Sequence, residues 1–225
     1  QRQMCIRDSM STDKKKKIVK PVTLSEQAYA IIKDEIITNQ IKPGDLLTEE
    51  QLSERLSISR TPIRSALKQL VMEHLAEVNE NKIVTVSNVT SQDISNVLVV
   101  RCSLEPLAVS LLEGKIGTKQ IKELNKIMKK LTQAKNHQVF LDAEYDFHLA
   151  FARYAGNTFL YDMIEKINMV CKRYLVLSGT LDKYTPTALE EHQRIVDLLE
   201  QNKVKEASEA MYEHVKNAGE RMLLS

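Results

Sequence analysis

The stretch Thr48–Leu75, TEEQLSERLSISRTPIRSALKQLVMEHL, constrains this chain more than any other. Leu52 and Leu56 share one helical face, and Ile63, Leu67, Leu70 and Val71 form the apolar stripe of a second helix. Between them Ser57-Ile58-Ser59 supplies one apolar residue to plug the corner and two small ones to turn it. Pro62 falls in the first turn of the second helix, where its missing N–H is not needed. Ser59, Arg60, Thr61, Arg64 and Lys68 lie off the stripe, and from Arg55 to Lys68 there are four basic residues and no acidic one. A basic helix start propped by a shorter helix is the arrangement with which a helix-turn-helix enters the major groove. There Arg reads guanine edges, Thr meets a thymine methyl or a phosphate, and Lys neutralises the backbone.

At 225 residues the chain is long enough for one large or two modest cores. With no Trp, six Gly, five Pro and long Leu-, Ile-, Glu- and Lys-rich stretches, it reads as mainly helical. The net charge is only +2, so DNA affinity has to come from locally arranged charge rather than from bulk attraction. Three distant cysteines, Cys5, Cys102 and Cys171, give neither a disulfide framework nor a zinc site and fit a reducing, cytoplasmic setting. No apolar run approaches the ~20 residues that span a bilayer.

In chain order, residues 1–9 lack periodicity and precede Met10, which is read as the start, the nine residues before it being read as a non-native extension. Residues 1–23 are expected to form an arm whose Lys14–Lys17 run is either simply solvated or a phosphate contact. Residues 24–88 are expected to form a winged helix-turn-helix. Ser25 caps its first helix, with Ala28, Ile31, Ile32, Ile36 and Ile37 inward. After the second motif helix, Ala76–Val78 and Ile83–Val86 make a β-hairpin, the wing, in which Asn81 takes the positive φ and Lys82 touches phosphate. Residues 89–225 are expected to form an all-α antiparallel bundle of Gln92–Glu113, Thr118–Ala134, Val139–Tyr154, Thr158–Leu177, Thr187–Gln201 and Val204–Leu223. Gly156-Asn157, Pro186 and Asn202 are among its breaks.

The run LSERLSISRTPIRSALKQL resembles the DNA-binding signature of the GntR family of bacterial transcription regulators over about 25 positions. The strings VLVVRCSLEPLAVSLL, YDFHLAFARYAGN and EEHQRIVDLLEQNKVKEASEAMYEHV resemble the FCD domain, the ligand-binding half of the FadR-type branch. Against the family pattern, Glu50 and Gln51 stand near a position that often holds a DNA-contacting Arg, and His74 stands where Gly usually ends the recognition helix.

Four of the five histidines lie in residues 89–225, three of them, His148, His192 and His214, in telling places, and Glu144 is one turn before His148. His192 and His214 lie on the last two helices at similar distances from the Asn202 turn. One carboxylate and three imidazoles suit Zn²⁺, Ni²⁺ or Mn²⁺ and leave positions open for water or an anion. The resemblance implies a metal here, with Glu144 standing where Asp is usual. It also implies that Arg101 pairs with an effector carboxylate, the alternative being a pair with Glu105. The same resemblance implies a homodimer on a pseudo-palindromic operator, a small carboxylate effector, and action as a repressor. Two other readings use the same ligands, a metal sensor and a metal-dependent enzyme; against the enzyme, no separate base, nucleophile or oxyanion donor stands out.

Overall fold

The computed structural model describes residues 21–179 and 181–223, with the backbone alone for 182–184. The Lys14–Lys17 run, Cys5 and residues 1–9 lie outside the described residues. Helices α1 (Leu24–Ile37), α2 (Glu49–Leu56) and α3 (Arg60–Met72) come first, followed by strands β1 (Ala76–Val78) and β2 (Val84–Val86). Six further helices follow: α4 (Ser91–Ser110), α5 (Thr118–Thr132), α6 (His137–Ala155), α7 (Thr158–Ser178), α8 (Leu181–Glu200) and α9 (Val204–Leu223).

The cap of α1 is Thr23, not Ser25. The Thr23 hydroxyl accepts from the Glu26 N–H and the Glu26 carboxylate accepts from the Thr23 N–H at 2.7 Å, a reciprocal pair that Ser25 could not make because Ala28 stands three residues after it. Ser57 at φ 55° and His74 at φ 58° take the left-handed conformation that ends α2 and opens the approach to β1. The Ala28, Ile32, Ile36, Leu52, Ile63, Leu67 and Leu70 side chains close one core, as the stripes foretold, whereas Ile31, expected inward, is 45% exposed. The hairpin pairs Ala76 with Val86 and Val78 with Val84. Its tip differs from expectation: Lys82, not Asn81, has positive φ, at 60°. Asn79 Oδ1 accepts from both Asn81 N–H and Ile83 N–H at 3.0 Å, and this turn leaves the left-handed position to Lys82.

In the bundle, Thr90 and Asp93 form a second reciprocal cap, and Asn136 and Asn157 cap α6 and α7 through their side-chain oxygens. Pro186, expected to break the chain, lies inside α8, which begins six residues earlier than the pattern suggested. A proline that early costs one backbone bond without breaking the helix, and Thr185 adds its own bond to the Leu181 carbonyl at 2.7 Å. The α4–α9 contact is close because Gly219 faces Leu98; a Cβ there would lie 2.3 Å from Leu98 Cδ2. Phe147 and Phe151, meeting edge to face at 5.0 Å, fill the bundle core, and burying each ring stabilises it by roughly 1.5–3 kcal/mol. Met169 packs on the N-terminal core, whereas Met163 on the same helix is 53% exposed. Helix α7 thereby joins the two halves, and the buried Arg173 donates to the Ser87 carbonyl in the connection between them.

Candidate functional site

Four side chains from three helices converge inside the bundle. Glu144 and His148 lie one turn apart on α6, His192 on α8 and His214 on α9. One ligand atom from each lies within 4.8 Å of all the others. The three imidazoles are 3% exposed or less. His192 Nε2 and His214 Nε2 are 3.0 Å apart, and Glu144 Oε1 lies 3.3 Å from His148 Nε2 and 3.5 Å from His192 Nε2. The Phe147 ring, 4.3 Å from that of His192, walls the group off from the core.

A second layer orients the imidazoles. His148 Nδ1 faces Glu105 on α4, and Glu105 is held by Arg101 Nε at 2.5 Å. His214 Nδ1 donates to Glu191 at 2.8 Å, and Glu191 also accepts from Asn217 at 2.9 Å and from both terminal nitrogens of Arg221 at 3.0 and 2.7 Å. With their Nδ1 protons directed at carboxylates, His148 and His214 turn Nε2 toward the common centre.

The electrostatics follow from this layering. Burial opposes charge on Glu144, but His192 and His148 outweigh it and hold the carboxyl well below its usual range. Burial likewise opposes charge on His148, yet Glu105 and Glu144 push it up to about 9. On His192 and His214 burial wins, and both are lowered. Glu144 Oε2 and His192 Nδ1 are buried and have no hydrogen-bond partner among the described residues. Imidazole nitrogens and an orphaned carboxylate oxygen gathered at such spacings would suit a divalent ion, whose charge would displace the His148 proton.

A small pocket of about 40 Å³, partly open to solvent, adjoins this group and is bounded by Glu144 and His214 on one side. Arg101 is not on it. At 3% exposure it is committed to Glu105 and to the Cys171 sulfur at 3.5 Å, so it buttresses the His148 partner instead of facing a ligand. Glu105 and Glu191 are the functional residues the sequence did not single out. Glu105 was visible only as a local partner of Arg101, and Glu191 only as the neighbour of His192. Arg221 had a usable signal, since it stands two turns after His214 on the same face of α9.

At the other end of the molecule Ser59, Arg60, Thr61, Arg64 and Lys68 are all exposed along the start of α3, and Lys82 is exposed at the hairpin tip. Ser59 caps α3 without a hydrogen bond from its side chain. Arg60 pairs with Glu50 at 2.7 Å, and Arg64 grips Glu49 through two bonds at 2.7 and 2.8 Å. The Arg64 hydrogen bonds hold the Glu49 carboxyl below its usual range.

Residues 24–86 match the profile of the bacterial regulatory proteins of the gntR family, and residues 96–217 match the FCD domain. Among curated relatives, the chain is 26% identical over 203 residues to the uncharacterized HTH-type transcriptional regulator YdhC of Bacillus subtilis, covering 88% of this chain and 89% of that one. It is 26% identical over 208 residues to the HTH-type transcriptional repressor GlaR of Escherichia coli, covering 85% and 92%. Two solved structures share the fold. The E. coli McbR structure gives a TM-score of 0.74 at 23% identity, over 88% of this chain and 95% of that one. A GntR regulator from Rhodococcus sp. RHA1 gives 0.79 at 19% identity, over 89% and 98%. Among the described residues no helix is long and apolar enough to cross a membrane. A winged helix with the matched signature, joined to a helical domain with the second, makes this chain a transcriptional regulator of the GntR family carrying an FCD domain.

Proposed function

We propose that this regulator binds a pseudo-palindromic operator as a homodimer, and that a small carboxylate held beside a divalent ion controls its affinity. Residues 24–88 form the DNA-binding half and 89–225 the ligand-binding half. Ser59, Arg60, Thr61, Arg64 and Lys68 meet the major groove, and Lys82 a flanking phosphate. Glu144, His148, His192 and His214 hold the ion, with Zn²⁺, Ni²⁺ and Mn²⁺ all suited to such a set. The ion supplies a positive, open position for a carboxylate oxygen. The observation that carries this reading is the convergence of four ligand atoms within 4.8 Å, two of the imidazoles being oriented by carboxylates behind them.

The route to DNA runs along α7. Leu175 on α7 lines the pocket beside the ligands, while Met169 and Arg173 on the same helix touch the N-terminal core and the connection at Ser87. An effector that favours one position of α7 therefore biases the placement of the winged helices, and with it operator affinity. Repression relieved by the effector is the direction proposed, in line with relatives named repressors.

Fluorescence anisotropy on duplexes from upstream of this protein's own gene tests the reading. Metal-loaded protein is expected to bind one duplex specifically and to lose affinity when a carboxylate is added, and chelation is expected to abolish that response. A response to metal alone, with no carboxylate effect, would make the protein a metal sensor instead.

A further inference from the structure

The pocket beside the metal ligands has an uneven chemistry. Phe140, Leu175, Leu181, Ala188, Ala218 and Met222 make up most of its wall. The polar residues on it are Glu144, His214, Thr185 and Arg221. The first two point their ligand atoms at the proposed ion. The Thr185 hydroxyl donates to the Leu181 carbonyl at 2.7 Å, so its proton is taken. Arg221 gives both terminal nitrogens to Glu191, which also neutralises its charge. Among the described residues, the wall thus offers a ligand no unpaired cation and no uncommitted side-chain hydroxyl proton.

Resting on the metal-centred reading above, we propose that the effector is a monocarboxylic acid with an apolar body, and that the pocket rejects sugar acids and dicarboxylic acids. A carboxylate would be satisfied at the ion. Every further polar group on the ligand would lose its water against mostly alkyl and phenyl surface, or would have to compete with the Leu181 carbonyl for Thr185 or with Glu191 for the Arg221 charge. An apolar body, in contrast, gains from leaving water for that same surface. A second carboxylate would also need a second cation, and Arg221 is already paired.

The test is calorimetric titration of the full-length, zinc-loaded protein with four six-carbon ligands: hexanoate, adipate, gluconate and 1-hexanol. Hexanoate is expected to bind at least tenfold more tightly than each of the other three. Adipate or gluconate binding as tightly as hexanoate, or no binding by any acid to protein that holds its zinc, would overturn the proposal. Repeating the series on chelated protein separates the two readings. Hexanoate preference that persists undiminished without metal would retain the apolar pocket and remove the ion as anchor. Ala218→Leu, which fills the pocket from α9, is expected to weaken hexanoate at least tenfold with zinc content unchanged. Ala188→Leu does the same from α8 and guards against a folding defect in the first variant. Unweakened hexanoate binding in both would place the ligand elsewhere.

Discussion

Glu191 and His214 stand on adjacent helices 23 residues apart, and the carboxylate of one accepts the Nδ1 proton of the other at 2.8 Å. The pair decides which nitrogen His214 presents to the centre. A carboxylate behind a ligating imidazole fixes its tautomer and raises its basicity, and losing such a partner typically weakens metal binding about 10–100-fold. Glu191→Gln is accordingly expected to lower zinc affinity by about that factor, read by competition with a chromogenic chelator. Affinity within twofold of the parent would show that Glu191 does not orient the site.

Arg101 and Glu105 form a buried ion pair whose second carboxylate oxygen meets His148. Removing one partner leaves a charge in the core. Arg101→Met is therefore expected to destabilise the protein by about 3–5 kcal/mol in urea unfolding. Loss of less than about 1 kcal/mol would mean that water or another group compensates Glu105.

Arg64 on α3 is 60% exposed at its side chain and tied to Glu49. An exposed pair contributes little to stability, so Arg64→Ala is expected to leave the melting temperature nearly unchanged. If Arg64 reads a base, the same change weakens operator binding by about 1–3 kcal/mol. Anisotropy titration at fixed salt checks this, and unchanged affinity removes Arg64 from the interface.

Glu73, at the end of α3, accepts from the Tyr29 hydroxyl at 2.5 Å and from Lys33 at 2.9 Å. Burial would raise its carboxyl, but the Tyr29 and Lys33 bonds outweigh that and hold it below its ordinary 4.5. A carboxyl lowered on folding contributes stability that is fully present above about 4.5 and is lost as the pH falls through the lower folded value. Glu73→Gln is expected to cost about 1 kcal/mol at pH 7, allowing for partial solvent screening. The gap between parent and variant should close as the pH is taken from 5 toward 3. A gap independent of pH would show that the Glu73 charge is not what matters.

The helices and both cores were legible because their signals are local. Leu52, Ile63, Leu67 and Leu70 repeat at the helical period, and each is buried. The closeness of His192 and His214 was legible too, since an antiparallel pair turning at Asn202 brings both to one level, and their Nε2 atoms lie 3.0 Å apart. The partners behind them were not. Glu105 reaches His148 across 43 residues through the packing of α4 on α6, which no spacing encodes. Thr23, Lys82 and Pro186 were misread for another reason. Several neighbouring residues could each cap, turn or break there, and side-chain bonds from Glu26, Asn79 and Thr185 decided among them.

Glu144, His148, His192 and His214 are proposed above to hold an ion. The most direct test is metal content by mass spectrometry on full-length protein purified without an affinity tag, with His214→Ala beside it. About one divalent ion per parent chain is expected, with most of it lost in the variant while the helical circular-dichroism signal is kept. A parent chain that takes up no zinc, nickel or manganese after soaking, or a His214→Ala variant that keeps its full complement, would contradict that assignment.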